Sequence, residues 1–263
     1  MNKFTKFLGL MAVVALAATQ AQAALVGSET FPYADGDLTS GAGGVGSGGN
    51  WTNFSGTTAL NVSNGVAVLT GTNSKDDGMI LSSAGASNGV MYAGFDVNFT
   101  SWPVGAGSYF AMFKDNTTAN FRARVMVTNN PSGGVSIGIA NSTANATNAP
   151  GVVFLSPALT LGTTYRVVIR LDQSSGTDSS TIWINPALET DPSATATDPV
   201  ASGPLQIPVT QFALRQSNAT QGLNWVDNIL VGTTFADVVP EPSTIALVGA
   251  GLFGLLAIRR RRS

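Results

Sequence analysis

Residues 165–171 read Tyr-Arg-Val-Val-Ile-Arg-Leu and give the clearest indication of the fold. Apolar side chains alternate here with a second set that contains two arginines: Tyr165, Val167, Ile169 and Leu171 against Arg166, Val168 and Arg170. A period of two is typical of a β-strand with one buried face. The stretch therefore predicts a strand in a sheet that covers an apolar core.

The same period recurs along the body of the chain, in the stretches 95–99, 121–127, 135–139, 182–184, 212–215 and 226–231. Turn sequences separate them, such as Asn-Gly at 64–65 and 88–89 and Pro-Ser-Gly-Gly at 131–134. Residues 189–204 contain three prolines and are expected to form a long loop. About ten to thirteen short strands at this spacing predict an all-β, two-sheet antiparallel sandwich.

Composition excludes several classes of function. The body, residues 24–239, has fourteen acidic and seven basic side chains, a net charge of −7, which argues against a nucleic-acid partner. The chain has no His and no Cys, so it cannot form a Ser-His-Asp or Cys-His apparatus or a His- or Cys-ligated zinc site. Its body contains only two glutamates, Glu29 and Glu189, whereas a glycosidase needs paired carboxylates. We expect a protein that is not an enzyme.

Several stretches of the body resemble bacterial laminin-G-like, or concanavalin-like, jelly rolls. They are Glu-Thr-Phe-Pro-Tyr-Ala-Asp-Gly-Asp-Leu at 29–38 with Trp51, the strand at 165–171 followed by Ile-Trp-Ile-Asn-Pro at 182–186, and Trp-Val-Asp-Asn-Ile-Leu-Val-Gly at 225–232. The resemblance covers residues 29–237. It implies a jelly-roll sandwich in which the last strand returns beside the first.

The C-terminal residues have the order of a membrane anchor. Val-Pro-Glu-Pro at 239–242 and Ser243 precede an apolar run, Thr244–Ile258, and four arginines, Arg259, Arg260, Arg261 and Arg262. The two prolines fix φ and lack amide donors, so they hold Glu241 in an extended segment. The run reaches about 22 Å as a helix, a short transmembrane span, and the arginines should stay in the cytoplasm with the body outside.

This arrangement resembles the PEP-CTERM sorting signal of Gram-negative bacteria. The resemblance implies that a membrane-embedded exosortase recognises Pro240, Glu241 and Pro242 and cleaves the tail. A plain C-terminal anchor is the alternative interpretation.

The N-terminus predicts secretion. Residues 1–23 combine Lys3 and Lys6 with an apolar stretch and a small-x-small cleavage site between Ala23 and Ala24. We expect the Sec translocon and signal peptidase as partners. The expected organisation is a signal peptide at 1–23, a laminin-G-like sandwich at 24–237 and a sorting tail at 238–263.

Candidate ligand contacts are a tryptophan and four arginines. Trp183 lies between Ile182 and Ile184, which should occupy the opposite strand face, so its ring could stack on a sugar. Two arginine pairs each have the spacing of one strand face, and both in one sheet would form a basic stripe for an acidic polysaccharide: Arg122 with Arg124, and Arg166 with Arg170. The alternative is a solvated face paired with aspartates.

Aspartates beside glycine are candidate calcium ligands, since calcium takes hard oxygen ligands: Asp35 and Asp37, and Asp76 and Asp77. They are also ordinary turn residues. Calcium is therefore an open possibility, and no other cofactor is expected.

Together these features predict an exported, non-enzymatic protein of a Gram-negative bacterium. It would be anchored in the inner membrane by its tail, then processed to the cell surface or extracellular matrix. Its expected role is structural or adhesive, with exopolysaccharide as partner. The alternatives are a lectin-like module that could depend on calcium, and an enzyme that acts on glycans through paired aspartates.

Overall fold

The computed structural model describes residues 25–40, 51–70, 75–85, 88–117, 120–141, 151–174, 178–197, 206–216 and 220–239. Within these ranges the chain forms two antiparallel sheets, which pack face to face. The predicted all-β jelly-roll sandwich is confirmed. The predicted signal peptide with its cleavage site at Ala23 and Ala24, the Pro-Glu-Pro motif, the apolar run and the arginine cluster lie outside the described residues.

The strands of the described ranges are, in chain order, β1 (Gly27–Glu29), β2 (Gly36–Asp37), β3 (Trp51–Ser55), β4 (Asn61–Ser63), β5 (Val66–Leu69), β6 (Asp76–Ile80), β7 (Val90–Phe99), β8 (Ser108–Lys114), β9 (Phe121–Asn129), β10 (Val135–Ala140), β11 (Val153–Phe154), β12 (Thr164–Asp172), β13 (Ser179–Ile184), β14 (Ser193–Thr197), β15 (Gln211–Arg215) and β16 (Asn224–Gly232). A 3-10 turn, Leu38–Ser40, follows β2, and a short helix, α1 (Phe235–Val238), follows β16.

The nine-stranded sheet has the order β14-β13-β12-β7-β16-β5-β4-β2, with β1 also paired to β16. The seven-stranded sheet has the order β11-β10-β9-β8-β15-β6-β3. Gly27 pairs with Val231, so the last strand does return beside the first, as the jelly-roll resemblance implied.

One local expectation is wrong. Residues 193–197 form β14, which pairs with β13, where a loop was expected across 189–204. Residues 235–238 form the short helix α1. No helix in the described part of the chain is both long and apolar enough to span a bilayer.

The core lies between the sheets and is rich in phenylalanine. Phe95 of the nine-stranded sheet packs against Phe110 and Phe212 of the other sheet, with ring centroids 6.0 and 5.6 Å away. Such tilted and edge-to-face contacts are the favoured geometry of aromatic pairs. They hold the two sheets in register.

A buried carboxylate closes one side of the core. Glu29 accepts hydrogen bonds from the Phe31 backbone N–H at 2.6 Å and from Trp51 Nε1 at 2.9 Å. Glu29 belongs to β1 and Trp51 to β3, so the carboxylate joins the two sheets. This glutamate, which the sequence grouped with the jelly-roll motif, has a structural role.

Candidate functional site

The outer face of the seven-stranded sheet, away from the core, gathers cations and aromatic rings from the adjacent strands β9, β8 and β15 and from β3. An apolar floor of Met112, Met126 and Ala213 lies beneath them. We call this cluster the cationic face, and it consists of Phe54, Tyr109, Lys114, Phe121, Arg124, Gln211 and Arg215.

The cations of this face lie over aromatic rings. The Arg215 and Arg124 guanidinium carbons are 4.3 and 4.9 Å from the centroid of the Tyr109 ring. The ammonium of Lys114 is 4.6 Å from the centroid of the Phe54 ring. These distances are within the range of cation–π attraction, so the rings fix the position of the charges.

Hydrogen bonds hold the rim of the cationic face. Lys114 Nζ donates to the Asp115 carbonyl at 2.6 Å and to Gln211 Oε1 at 3.1 Å. Gly78 makes room for Gln211, because a Cβ there would lie 2.2 Å from the same Oε1. Arg215 donates to Ser108 Oγ at 2.8 Å and pairs with Asp76, 3.7 Å away.

Burial shifts the pKa of two groups at this site. It raises the pKa of Asp76 to about 7, and Arg215 and the Gln216 N–H oppose the rise. Burial lowers the pKa of Lys114, and the nearby Asp115 carboxylate opposes the fall. Because Asp76 is partly protonated near neutral pH, it only partly cancels the charge of Arg215. The face therefore carries a net positive charge.

The predicted arginine stripe does not form. Arg122 and Arg124 belong to β9 of the seven-stranded sheet, whereas Arg166 and Arg170 belong to β12 of the nine-stranded sheet. Arg166 pairs with Asp96 at 3.2 Å. Arg170 pairs with Asp172 and lies 3.9 Å from Glu189. Period-two spacing predicted the strands correctly but could not assign them to a sheet.

The pair on β9 is divided by a bulge. Ala123 has a φ of 49°, and the pairing of β8 with β9 shifts at this point. Arg124 consequently lies over Tyr109 on the cationic face, while Arg122 is buried with its Nε 3.4 Å from Asp178 Oδ2. Asp178 directly precedes β13, so Arg122 links the two sheets.

Trp183 lies on the expected face but is covered. Its neighbour Ile182 joins the core, and the indole points to the outer face of the nine-stranded sheet. There it contacts the Phe235 ring of α1, 5.5 Å between centroids, and Nε1 donates to the Glu189 carbonyl at 3.2 Å. A sugar could stack on this buried ring only if α1 moved away.

The four candidate calcium ligands do not converge. Asp37 pairs with the Lys75 ammonium at 2.9 Å, Asp76 with Arg215, and Asp77 accepts from Asn53 Nδ2 at 3.3 Å. Asp35 accepts the Asn64 N–H at 2.8 Å in a turn. In the described ranges no three His, Cys, Asp or Glu residues form a group that could hold a metal ion. These aspartates therefore do not fit a calcium site.

Arg124 is the one residue of the cationic face that the sequence analysis predicts as a ligand contact. Tyr109, Lys114, Gln211 and Arg215 are not predicted there. The available signal was a charged residue at the end of an apolar strand, as in Lys114 after Ser-Tyr-Phe-Ala-Met-Phe and Arg215 after Gln-Phe-Ala-Leu.

The tail can be assigned by comparison. Residues 238–262 match the PEP-CTERM protein-sorting motif. The chain carries a PEP-CTERM sorting signal. This match confirms the resemblance found in the sequence, and the signal implies export, C-terminal membrane anchoring and processing by an exosortase.

No curated protein matches the chain. Among solved structures, alginate lyase Aly36B is similar over 80% of this chain and 98% of its own, with 16% identity and a TM-score of 0.47. Endo-β-1,4-glucuronan lyase from the fungus Trichoderma reesei matches over 72% and 90%, with 18% identity and a TM-score of 0.43. A seed lectin of Lotus tetragonolobus matches over 73% and 94%, with 11% identity and a TM-score of 0.41.

Proposed function

We propose that this chain is an exported surface or matrix protein whose body binds an acidic polysaccharide through the cationic face without cleaving it. One observation carries the proposal. Two guanidinium groups and an ammonium are held over aromatic rings on one face of a body whose net charge is −7. A guanidinium can bind a carboxylate through two parallel hydrogen bonds, and ring edges suit the apolar faces of sugars.

The members of the cationic face have different parts in this binding. The Arg215 side chain is 24% exposed and is the group best able to touch a ligand directly. Lys114 and Arg124 are buried against the rings of Phe54 and Phe121. Buried charges are weakly screened, so Lys114 and Arg124 should attract an anionic polysaccharide without touching it.

The sorting signal supports this choice of ligand. In this proposal the signal peptide ends at Ala23, the Sec translocon exports the chain, and exosortase recognises Pro240, Glu241 and Pro242. Arg259 to Arg262 hold the tail until it is cleaved, and the body, residues 24–237, is released to the cell surface or matrix. In this proposal the released body then contacts the polysaccharides of the cell surface or matrix.

A binding panel tests the proposal against its alternatives. The purified protein is titrated with polyuronates and with neutral glucans, with and without EDTA. We expect saturable binding to polyuronates that EDTA leaves unchanged. Loss of binding in EDTA would instead support a calcium-dependent lectin, and release of reducing ends or new unsaturated ends would support an enzyme. Absence of saturable binding to any acidic polymer would refute the proposal.

A further inference from the structure

Four uncharged loops lie at one end of the sandwich. Residues 100–107, 130–134, 155–163 and 220–223 contain no Asp, Glu, Lys or Arg. These loops lie together: the Thr100 N–H donates to the Leu223 carbonyl at 2.8 Å, the Gly162 N–H to the Phe99 carbonyl at 2.8 Å, and Val135 bridges to Leu159. They form an uncharged patch, with Arg215 at its border, where Gln221 Nε2 donates to the Arg215 carbonyl at 3.0 Å.

The same end exposes large apolar side chains. Trp102, Val104 and Leu223 are 44, 49 and 37% exposed. Their two loops are in contact, because a Cβ on Gly222 would lie only 3.0 Å from the Trp102 backbone. We call these three side chains the apolar tip. Clustered apolar exposure on a soluble domain is typical of a contact surface.

The opposite end of the sandwich carries paired charges. Asp115 follows β8, Asp172 ends β12, and Asp178 precedes β13. The pairing of Asp172 with Val90, and of Thr164 with Asn98, puts Asp172 at the other end of the strands from the apolar tip. These aspartates lie beside Lys114, Arg170 and Arg122, in that order, so this end is charged in both signs.

The end of the body points the tail toward the apolar tip. Phe235 of α1 lies 6.2 Å from the Tyr92 ring, and the Val238 carbonyl accepts a 2.7 Å hydrogen bond from Arg166 Nη2. Gly94 makes room for this segment, because a Cβ there would lie 2.4 Å from the Val238 oxygen. The segment thus runs along β7 from Tyr92 past Gly94, which is the direction of Phe99 and the uncharged loops.

The connection from there to the predicted membrane span is short. Residues 240–243 separate Val239 from the apolar run that starts at Thr244. Four extended residues reach at most about 14 Å. The predicted span therefore begins no more than about 14 Å from Val239, which keeps this side of the body close to the bilayer.

We propose that the apolar tip rests in the headgroup region of the bilayer while the tail is inserted, an inference that depends on the anchoring in the proposed function. Tryptophan with neighbouring aliphatic side chains suits this region, where the ring can contact lipid while its N–H contacts water. The loops around the tip carry no charge of their own, so anionic lipids do not repel them.

Site-specific labels can test this contact, because the chain has no cysteine of its own. Val104→Cys and, as a control, Leu188→Cys each receive an environment-sensitive fluorophore. Leu188 is 62% exposed but lies in a loop with Glu189 and Asp191, away from the tip. The full chain is inserted into vesicles of phosphatidylcholine and phosphatidylglycerol that contain lipids spin-labelled near the headgroup.

We expect a blue shift and quenching of the label at position 104, and neither at position 188. Equal signals at both positions, whether quenched or not, would overturn the inference. If the chain still floats with the vesicles in that case, the anchoring remains supported. A chain that does not float with the vesicles would refute the anchoring as well.

A second variant tests the part played by α1. Gly94→Val should displace residues 235–239 and remove the quenching at position 104, although the chain still floats. Arg166→Met serves if the valine variant does not fold, and Arg170→Met on the same strand is the matched control. Folding is checked by the thermal melt, and unchanged quenching in folded Gly94→Val would show that the helix does not orient the body.

Discussion

Arg215→Met is the change that most directly separates ligand binding from stability. It keeps an unbranched side chain over Tyr109 but removes the charge, the hydrogen bond to Ser108 Oγ and the pair with Asp76. A hydrogen bond between charged groups contributes about 1.5–3 kcal/mol, and each 1.4 kcal/mol is tenfold in affinity, so affinity for an oligouronide should fall about 10- to 150-fold.

The cost in stability should be much smaller. Asp76 loses its cation, but its pKa of about 7 means that it can take up a proton instead of staying buried and charged. A cation–π contact at a partly exposed site contributes about 0.5–1 kcal/mol. We therefore expect the free energy of unfolding to fall by about 1 kcal/mol, measured by urea titration beside calorimetric binding.

Arg170→Met is the matched control for this variant. Arg170 is 31% exposed, pairs with Asp172 and lies 6.0 Å from the Tyr92 ring, but on the outer face of the nine-stranded sheet. Its replacement should have a similar small effect on stability and none on binding. The reasoning is refuted if both variants lose affinity equally, or if Arg215→Met binds as well as the parent protein.

Three further predictions concern stability and sorting. Glu29→Gln should lower the free energy of unfolding by about 3 kcal/mol, because charged hydrogen bonds between the sheets are weakened; a loss below 1 kcal/mol in urea titration would contradict this. Burial raises the pKa of Asp76 from 3.8 to about 7, so its contribution to stability is complete below about pH 4 and is lost as the pH rises through 7. Asp76→Asn should therefore flatten the loss of stability between pH 4.5 and 7.5, and parallel curves for the two proteins would contradict it. Alanine at all of 240–242 should leave an uncleaved membrane form detectable by mass spectrometry, whereas normal processing would refute recognition of the motif.

The fold could be predicted where one strand face is buried and the other is solvated, as in β12. Strand β8 has no such signal, because Tyr109 and Met112 face an outer cluster while Phe110 and Phe113 face the core. Apolar residues on both faces remove the alternation. Lys114 was not predicted for the same reason, because β8 has no polar face that would indicate a site.

The site could be predicted only in part, because it depends on contacts between distant segments. Trp183 was assigned to the correct face, but its cover comes from Phe235, far along the chain. Arg122 and Arg124 were expected to act together, but the positive φ at Ala123 makes their side chains point in different directions. Neither the return of α1 onto the sheet nor a bulge is encoded in hydrophobic periodicity.

In the proposed function the cationic face recognises the carboxylates of an acidic polysaccharide. The measurement that tests this compares the affinity of the protein for one oligouronide with that for its carboxyl-reduced form, which has the same sugar backbone but no charge. We expect the charged ligand to bind at least about tenfold more tightly, since one charged hydrogen bond contributes about 1.5 kcal/mol or more, with the difference shrinking at high salt. Equal affinity for the two ligands would show that the face does not recognise carboxylates.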